Sequence, residues 1–343
     1  MKRRLILSAA AVASLAPLAA HAQSAHIRTG AQRASGPSRL NFGIITPRNA
    51  ELMLKNWSPF LDRMATALKV PIERTAYASA GELVQDFAAG KLDFGWMGNV
   101  PALEIVEAGH GSVFAVEVVQ GRASYRSTLI THRDSPLRNL DDVHRTIKQL
   151  SFGDGDPKST SGHIVPRYFA FVKRGVNEPE KMFREVKRGS HESNLVATAR
   201  REVDLATNNT SELENFRAIK PEEAGLVRVV WESPEIPTSP MVWRNSLPDA
   251  LKQKIGAFTQ SFGQSESDRS ILWNINKLTA WRKSTNRQLV TVADLEMFNA
   301  RQRIINDATL TADERMRRVE EVTRRGSRLE LMLKTSSQGS ATS

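Results

Sequence analysis

The chain has 343 residues, a formal net charge of +11 and no cysteine. That length accommodates two ordinary domains with full cores, and the absence of cysteine excludes a disulfide framework, thiol catalysis and a lipid-modified cysteine anchor. A basic balance suits small anions, a membrane surface or nucleic acid; three tyrosines and no aromatic-basic stripe argue against nucleic acid.

At the N-terminus Lys2, Arg3 and Arg4 precede an apolar run over 5–18, and Ala20-His21-Ala22 forms a small-residue cleavage site before Gln23. Residues 1–22 are expected to be a signal peptide, with the twin-arginine route left open beside ordinary secretion. The run is too short and Ala-rich for a membrane span, and no other stretch reaches ~18 apolar residues. The mature chain is expected in the periplasm of a two-membrane cell. Residues 23–38, rich in Ala, Ser, Gly and Arg, read as a flexible lead-in.

Strand and helix patterns then alternate. Residues 40–45 read as a strand, and Trp57, Phe60, Leu61, Met64 and Leu68 recur at helical spacing. A helix over 82–88, a strand over 92–96, a helix over 102–108 and a strand over 113–119 follow. Thr128 to Thr131 reads as a crossing strand into a second block. Its strands are expected at 149–152, 185–187, 204–207 and 227–231, and its helices at 163–173, 192–201 and 212–219. Pro234, Pro237 and Pro240 punctuate a return crossing to a strand at 241–244 and a helix at 250–262. Residues 264–343 read as a mainly helical extension with a disordered Ser/Thr/Gly tail. The alternation implies an α/β fold with largely parallel sheets. Lobe 1 is expected over 39–126 plus 240–263 and lobe 2 over 127–239, with a ligand cleft between them.

The most informative stretch leads from Phe152 through the turn Gly153-Asp154-Gly155-Asp156-Pro157 to Ser159, Thr160 and Ser161. Three hydroxyls at a helix start stand beside unpaired backbone N–H groups and the positive end of the helix dipole, an arrangement suited to a phosphate-like anion. The plainer reading is that one of them caps the helix. His191, at the next helix start, is a second candidate donor to the same anion, or a solvent-facing histidine. Asn208, Asn209 and Thr210 form a third polar strand-to-helix turn. The seven histidines show no H-E-x-x-H spacing, and there is no G-x-S-x-G elbow or Walker loop. No catalytic residue, metal or cofactor is expected, and a binder fits better than an enzyme.

The segments FGDGDPKSTSGHIVP at 152–166, GSHESN at 189–194 and DLATNNT at 204–210 resemble the phosphonate-binding component of ABC importers. So do LNFGI at 40–44, LDFGWMGN at 92–99 and SPEIPTSPMVW at 233–243. The resemblance covers about 40–300 and implies a type-II periplasmic binding fold whose two lobes close on a phosphonate, phosphite or related oxyanion. It implies delivery to a membrane permease and ATPase, an anion site of Ser159, Thr160, Ser161 and His191, and, as in some relatives, a homodimer through the C-terminal helices. Relatives that take aminoalkylphosphonates hold the ammonium with two carboxylates and tyrosines. The matching positions here are Ser211, Ser239, Ala80 and Met97, while Arg126 and His163 add positive charge. On that pattern a ligand without a cationic tail is expected. Two other readings remain at this level: a ligand sensor docking on a membrane receptor kinase, and, with less support, a secreted phosphate-processing enzyme.

Overall fold

The computed structural model describes residues 37–46 and 49–335. The expected signal peptide, most of the lead-in and the tail beyond 335 lie outside the described residues. The first block runs β1 (Leu40–Ile45), α1 (Ala50–Leu68), β2 (Ile72–Tyr77), α2 (Ala80–Ala88), β3 (Phe94–Trp96), α3 (Asn99–Glu107) and β4 (Gly111–Val119). Helix α1 is capped by Asn49, whose side chain accepts from the Leu52 N–H. Its apolar stripe of Met53, Trp57, Phe60, Leu61, Met64 and Leu68 is buried, as the helical spacing demands. Strand β2 carries no strong apolar signal, because only its ends, Ile72 and Tyr77, are buried. It pairs with β1 at the sheet edge, where a polar middle is tolerated.

A short strand β5 (Ser124–Tyr125) leads into β6 (Ser127–His132), α4 (Leu140–Thr146), β7 (Ser151–Asp154), α5 (Pro179–Met182), β8 (Glu185–Arg188) and α6 (His191–Ala199). Then come β9 (Leu205–Asn209), α7 (Thr210–Ile219), α8 (Pro221–Gly225) and β10 (Val227–Glu232). Strand β11 (Ile236–Pro237) precedes β12 (Pro240–Arg244), α9 (Asp249–Ser261), α10 (Glu266–Asn276), β13 (Leu278–Lys283), α11 (Val290–Ile305) and α12 (Ala312–Thr335).

Two main sheets result, a six-stranded one ordered β13-β4-β12-β3-β1-β2 and a five-stranded one ordered β10-β6-β9-β7-β8. They are mixed, which corrects the expectation of largely parallel sheets. Strands β1, β2 and β3 run parallel, as do β7, β8 and β9, whereas β12, β13, β4, β6 and β10 make antiparallel pairings. The chain leaves one sheet for the other and comes back, and the strands next to those crossings meet their neighbours head to tail. The crossings are themselves stitched together. Strand β5 pairs antiparallel with β11, Ser127 N donates to Ser233 Oγ at 3.0 Å and Thr238 N donates to Ala123 O at 3.1 Å.

Strand β13 lies within the stretch read as a helical extension, yet it pairs with β4 in the first sheet. Its Trp281 ring sits 5.9 Å from Trp57 in the cluster that also holds Phe42, Phe60 and Trp96. Sequence alternation alone is weak there, because two of the six residues, Leu278 and Trp281, are buried. Helices α11 and α12 follow the strand. Helix α12 is anchored by the buried Leu329 and Leu333 and by the bidentate Arg325–Glu107 pair, at 2.6 and 2.5 Å. Among the described residues, no helix is long and apolar enough to cross a membrane.

Candidate functional site

The parallel strands β7, β8 and β9 all end at one edge, and the loops after them enter a cavity of about 400 Å³. Ligands of open α/β sheets bind at this place, where strand ends feed helix N-termini. After β7 the chain doubles on itself. Gly155 N donates to Gly162 O at 3.0 Å, and Ser159 N donates to Asp156 O at 2.7 Å. The approach is so tight that a Cβ on Gly155 would lie 2.7 Å from the Gly162 carbonyl group. Glycine is required there by contact.

The expected α-helix over 163–173 is replaced by π-turns at Thr160–Ile164 and Arg167–Phe171, followed by a 3-10 turn at Val172–Arg174. Ser159 O accepts from both His163 N and Ile164 N, at 3.1 Å each, and this sharing widens the turn. Pro166, which has no N–H, cannot restore the regular ladder. Such π-turns concentrate at functional sites.

The three hydroxyls differ in role. Ser159 is the cap, its Oγ accepting from Gly162 N at 3.0 Å, so the plain reading holds for that residue, although it also lines the cavity. Thr160 Oγ1 accepts from Val100 N at 3.2 Å and ties the loop to α3. Ser161 Oγ lies 3.3 Å from His191 Nε2 and accepts from Asn209 Nδ2, also at 3.3 Å. The Tyr125 hydroxyl hydrogen-bonds the same serine, and burial pushes its pKa up. His191 opens α6, where Ser190 caps the helix. Burial pushes the His191 pKa down to about 4, so at neutral pH it is an uncharged imidazole able to donate one N–H. Asn209 caps α7 by accepting from Glu212 N at 2.8 Å. Three helix or turn starts therefore converge on one cavity.

Of the residues singled out in the sequence, Ser159, Thr160, Ser161, His191, Ser211 and Ser239 all line the cavity. Met97 does not. It follows the last residue of β3 and is fully buried in a hydrophobic cluster with Val100 and Leu103, while its neighbour Trp96 lines the cavity. Arg126 is also outside the lining. Its guanidinium donates to Ser233 O at 2.9 Å and reaches Glu235 at 3.4 Å, bracing the crossings. His163 pairs with Asp154 at 2.8 Å and adds no free charge to the cavity. The cavity cations are occupied too: Lys158 pairs with Glu104 at 2.5 Å, and Arg188 lies 3.7 Å from Asp154.

Sequence reasoning missed Glu117, Glu212, Trp96, Tyr125 and Asn276, all of which line the cavity. Glu117, on β4, is 3 % exposed and Glu212 4 %. Glu117 accepts from Ser239 N at 3.2 Å and Trp96 Nε1 at 3.1 Å, and Asn276 adds a side-chain hydrogen bond. Burial, with the nearby charge of Glu212 adding to it, pushes its pKa up to about 8. The cavity thus carries carboxylates at Glu117 and Glu212, beside the serines at 211 and 239. One signal was available: Glu117 is the only charged residue in the apolar strand VFAVEVV. Glu212 is disguised by its spacing from Asn209, which reads as ordinary helix capping. Among the described residues, no group of three or more His, Asp or Glu side chains could hold a metal ion.

Comparison with known proteins supports the same reading. Residues 42–289 match the model of the family described as ABC transporter, phosphonate, periplasmic substrate-binding protein. The chain is 34% identical over 284 residues to the phosphonates-binding periplasmic protein of Escherichia coli K12, covering 82% of this chain and 83% of that one. The crystal structure of a binding protein component of an ABC phosphonate transporter from Pseudomonas aeruginosa is 34% identical, with a TM-score of 0.80 over 87% of this chain and 99% of that one. A Prochlorococcus marinus protein in complex with methylphosphonate shares the fold at 19% identity, TM-score 0.67, covering 76% of this chain and 97% of that one. These matches favour transport over the sensor and enzyme readings. The chain belongs to the periplasmic phosphonate-binding components of ABC transporters, type-II periplasmic binding proteins that bind a ligand and do not transform it.

Proposed function

We propose that this protein holds the oxyanion of a phosphonate or phosphite among Ser159, Thr160, Ser161 and His191 and delivers it to a membrane permease and its ATPase. The observation that carries the assignment is the convergence of His191, Asn209 and Tyr125 on the Ser161 hydroxyl, at the joined ends of β7 and β9. A small movement of ligand into this cluster exchanges those internal hydrogen bonds for charge-assisted ones, each worth about 1.5–3 kcal/mol. Ser161→Ala and His191→Ala are each expected to weaken oxyanion binding by about 1–3 kcal/mol while leaving the fold intact. Calorimetric titration with methylphosphonate and phosphite reads this directly, and unchanged affinity in both variants removes the assignment.

The lobes of this reading are 39–126 plus 240–263, extended by the strand β13, and 127–239. They close on ligand by bending at the stitched crossings near β5 and β11. Small-angle scattering is expected to show a smaller radius of gyration at saturating ligand, and an identical profile counts against closure. The same data report the mass in solution. A dimer through α11 and α12 is supported by the exposed Met316 and Leu331 on α12, and a monomeric mass rejects it. Export through cleavage after Ala22 rests on the leader pattern alone. Mass spectrometry of the exported chain, expected to begin at Gln23, tests it.

A further inference from the structure

Helix α10 ends and strand β13 begins with a single residue between them, Lys277. So short a reversal calls for a left-handed residue, and Lys277 has φ +51° and ψ +33°. Glycine fills such a helix C-terminus without steric penalty, whereas a side chain there carries one. The backbone therefore gives no reason for a lysine at this position. What its side chain touches does.

The Lys277 ammonium reaches α7. Its Nζ donates to Glu214 O at 3.0 Å and lies 3.6 Å from Glu214 Oε1, and the Trp273 ring lies beside it, 5.9 Å from Nζ to the ring centre. Arg217, with Lys277 adding to it, holds the Glu214 carboxyl below the usual carboxylate range, so the acid is charged at neutral pH. The preceding residue makes a parallel link, since Asn276 Oδ1 accepts from Asn215 Nδ2 and both residues are buried. The helices so joined belong to different halves of the fold. Helix α10 packs through Leu272 and Ile275 in the cluster of the first sheet, and α7 packs through Leu213 and Phe216 in a cluster of the second. An opening of the cleft that parts α10 from α7 breaks both links. Asn276 lines the cavity and hydrogen-bonds Glu117, whereas Lys277 and Glu214 stand outside the lining.

We propose that Lys277 is a clasp between the lobes, a positioning residue that fastens the closed form and sets how long the oxyanion is retained without touching it. The proposal rests on the closure reading above. Release requires the cleft to open, and a bond made only in the closed form favours that form by its own free energy. Its loss is read in the rate of dissociation rather than in the rate of encounter. One charge-assisted hydrogen bond is of the size that changes such a rate about tenfold. The left-handed backbone separates this role from a merely structural one, because Lys277→Gly relieves the strain at the helix end while it unfastens the lobes. Lys158 also crosses between the halves, to Glu104, but it lines the cavity, so its loss would act on the ligand directly.

The test compares native protein with Lys277→Gly and Lys277→Met, the latter removing the ammonium and keeping the left-handed side chain. Stopped-flow release of methylphosphonate is expected to be about tenfold faster in both variants. The thermal melt of Lys277→Gly is expected to stay close to native, since relief of the backbone offsets the lost contact. Small-angle scattering is expected to give both ligand-free variants a larger radius of gyration than ligand-free native protein. Release within about twofold of native in both variants overturns the clasp. So does an acceleration confined to Lys277→Gly, which places the effect in the backbone. Native protein that takes up no methylphosphonate overturns the oxyanion reading instead, and the ligand-free scattering then decides the clasp: larger radii in the variants support it, and equal radii overturn it.

Discussion

Gly155→Ala is expected to abolish oxyanion binding while much of the fold survives. Its new methyl group would lie 2.7 Å from the carbonyl carbon and oxygen of Gly162 and 2.8 Å from its Cα. All three are backbone atoms, so no side-chain rotation relieves the clash. Overpacking of this kind costs about 1–3 kcal/mol, and the loop can reduce it only by opening. Opening breaks the Gly155 N to Gly162 O bond and displaces Ser159, Thr160 and Ser161 together. Losing even two charge-assisted contacts to the ligand removes about 3 kcal/mol or more, roughly a hundredfold or greater loss of affinity. Calorimetry alongside a thermal melt separates the binding defect from the stability defect. Affinity within a few-fold of native would show that the hairpin does not position the hydroxyls.

The second large effect is a stability slope set by Glu117. Its pKa in the folded protein is raised from 4.5 to about 8 by burial. Between those values the native state holds a proton that the unfolded chain releases. The stabilisation from this group is complete below pH 4.5 and is lost as pH rises through about 8. His191 works oppositely at lower pH. Its pKa is depressed from 6.5 to about 4, so its contribution grows as pH rises between those values. The two oppose each other below pH 6.5, and above it the Glu117 slope stands alone. Ligand-free protein is expected to lose stability from pH 6.5 to 8, at up to ~1.4 kcal/mol per pH unit. Glu117→Gln, which has no proton to lose, should flatten that segment even though its amide satisfies the three donors less well. Urea denaturation at several pH values measures both, and equal slopes in the two proteins would place the titration elsewhere.

Much of the cavity wall around Ser161 is legible in the amino-acid sequence alone. The turn from Phe152 to Ser161, His191 at the next helix start and Asn209 at the third are local signals. Each is written within a few residues, because capping, turn formation and strand termination are short-range physics. The apolar periods of α1 and α6 and the apolar runs of β4 and β7 follow from the same locality. Leu40 to Ile45 reads as a buried strand for the same reason, whereas the strand ending at Asp154 runs on through Gly153 and Asp154, which read as part of the turn.

What the sequence could not determine by itself depends on which distant segments meet. Glu117 and Glu212 face one cavity only because β4 ends one half of the fold and α7 starts beside β9 in the other, and Asn276 arrives from a still later helix. No spacing rule connects them. Met97 stands in a motif that points to the site and Arg126 in the first crossing, and the fold places one in a hydrophobic cluster and the other as a brace between the crossings. Strand direction is also a tertiary matter, since a chain that crosses out and returns imposes antiparallel neighbours whatever its local pattern. Strand β13 joins the first sheet because Leu278 and Trp281 complete the packing around Trp57, a contact that exists only once the helices between them are in place. The wall of the cavity built by Ser159 to Ser161 and His191 is local in sequence and could be read from it. The carboxylate side is made by long-range packing, and only the folded chain brings it together.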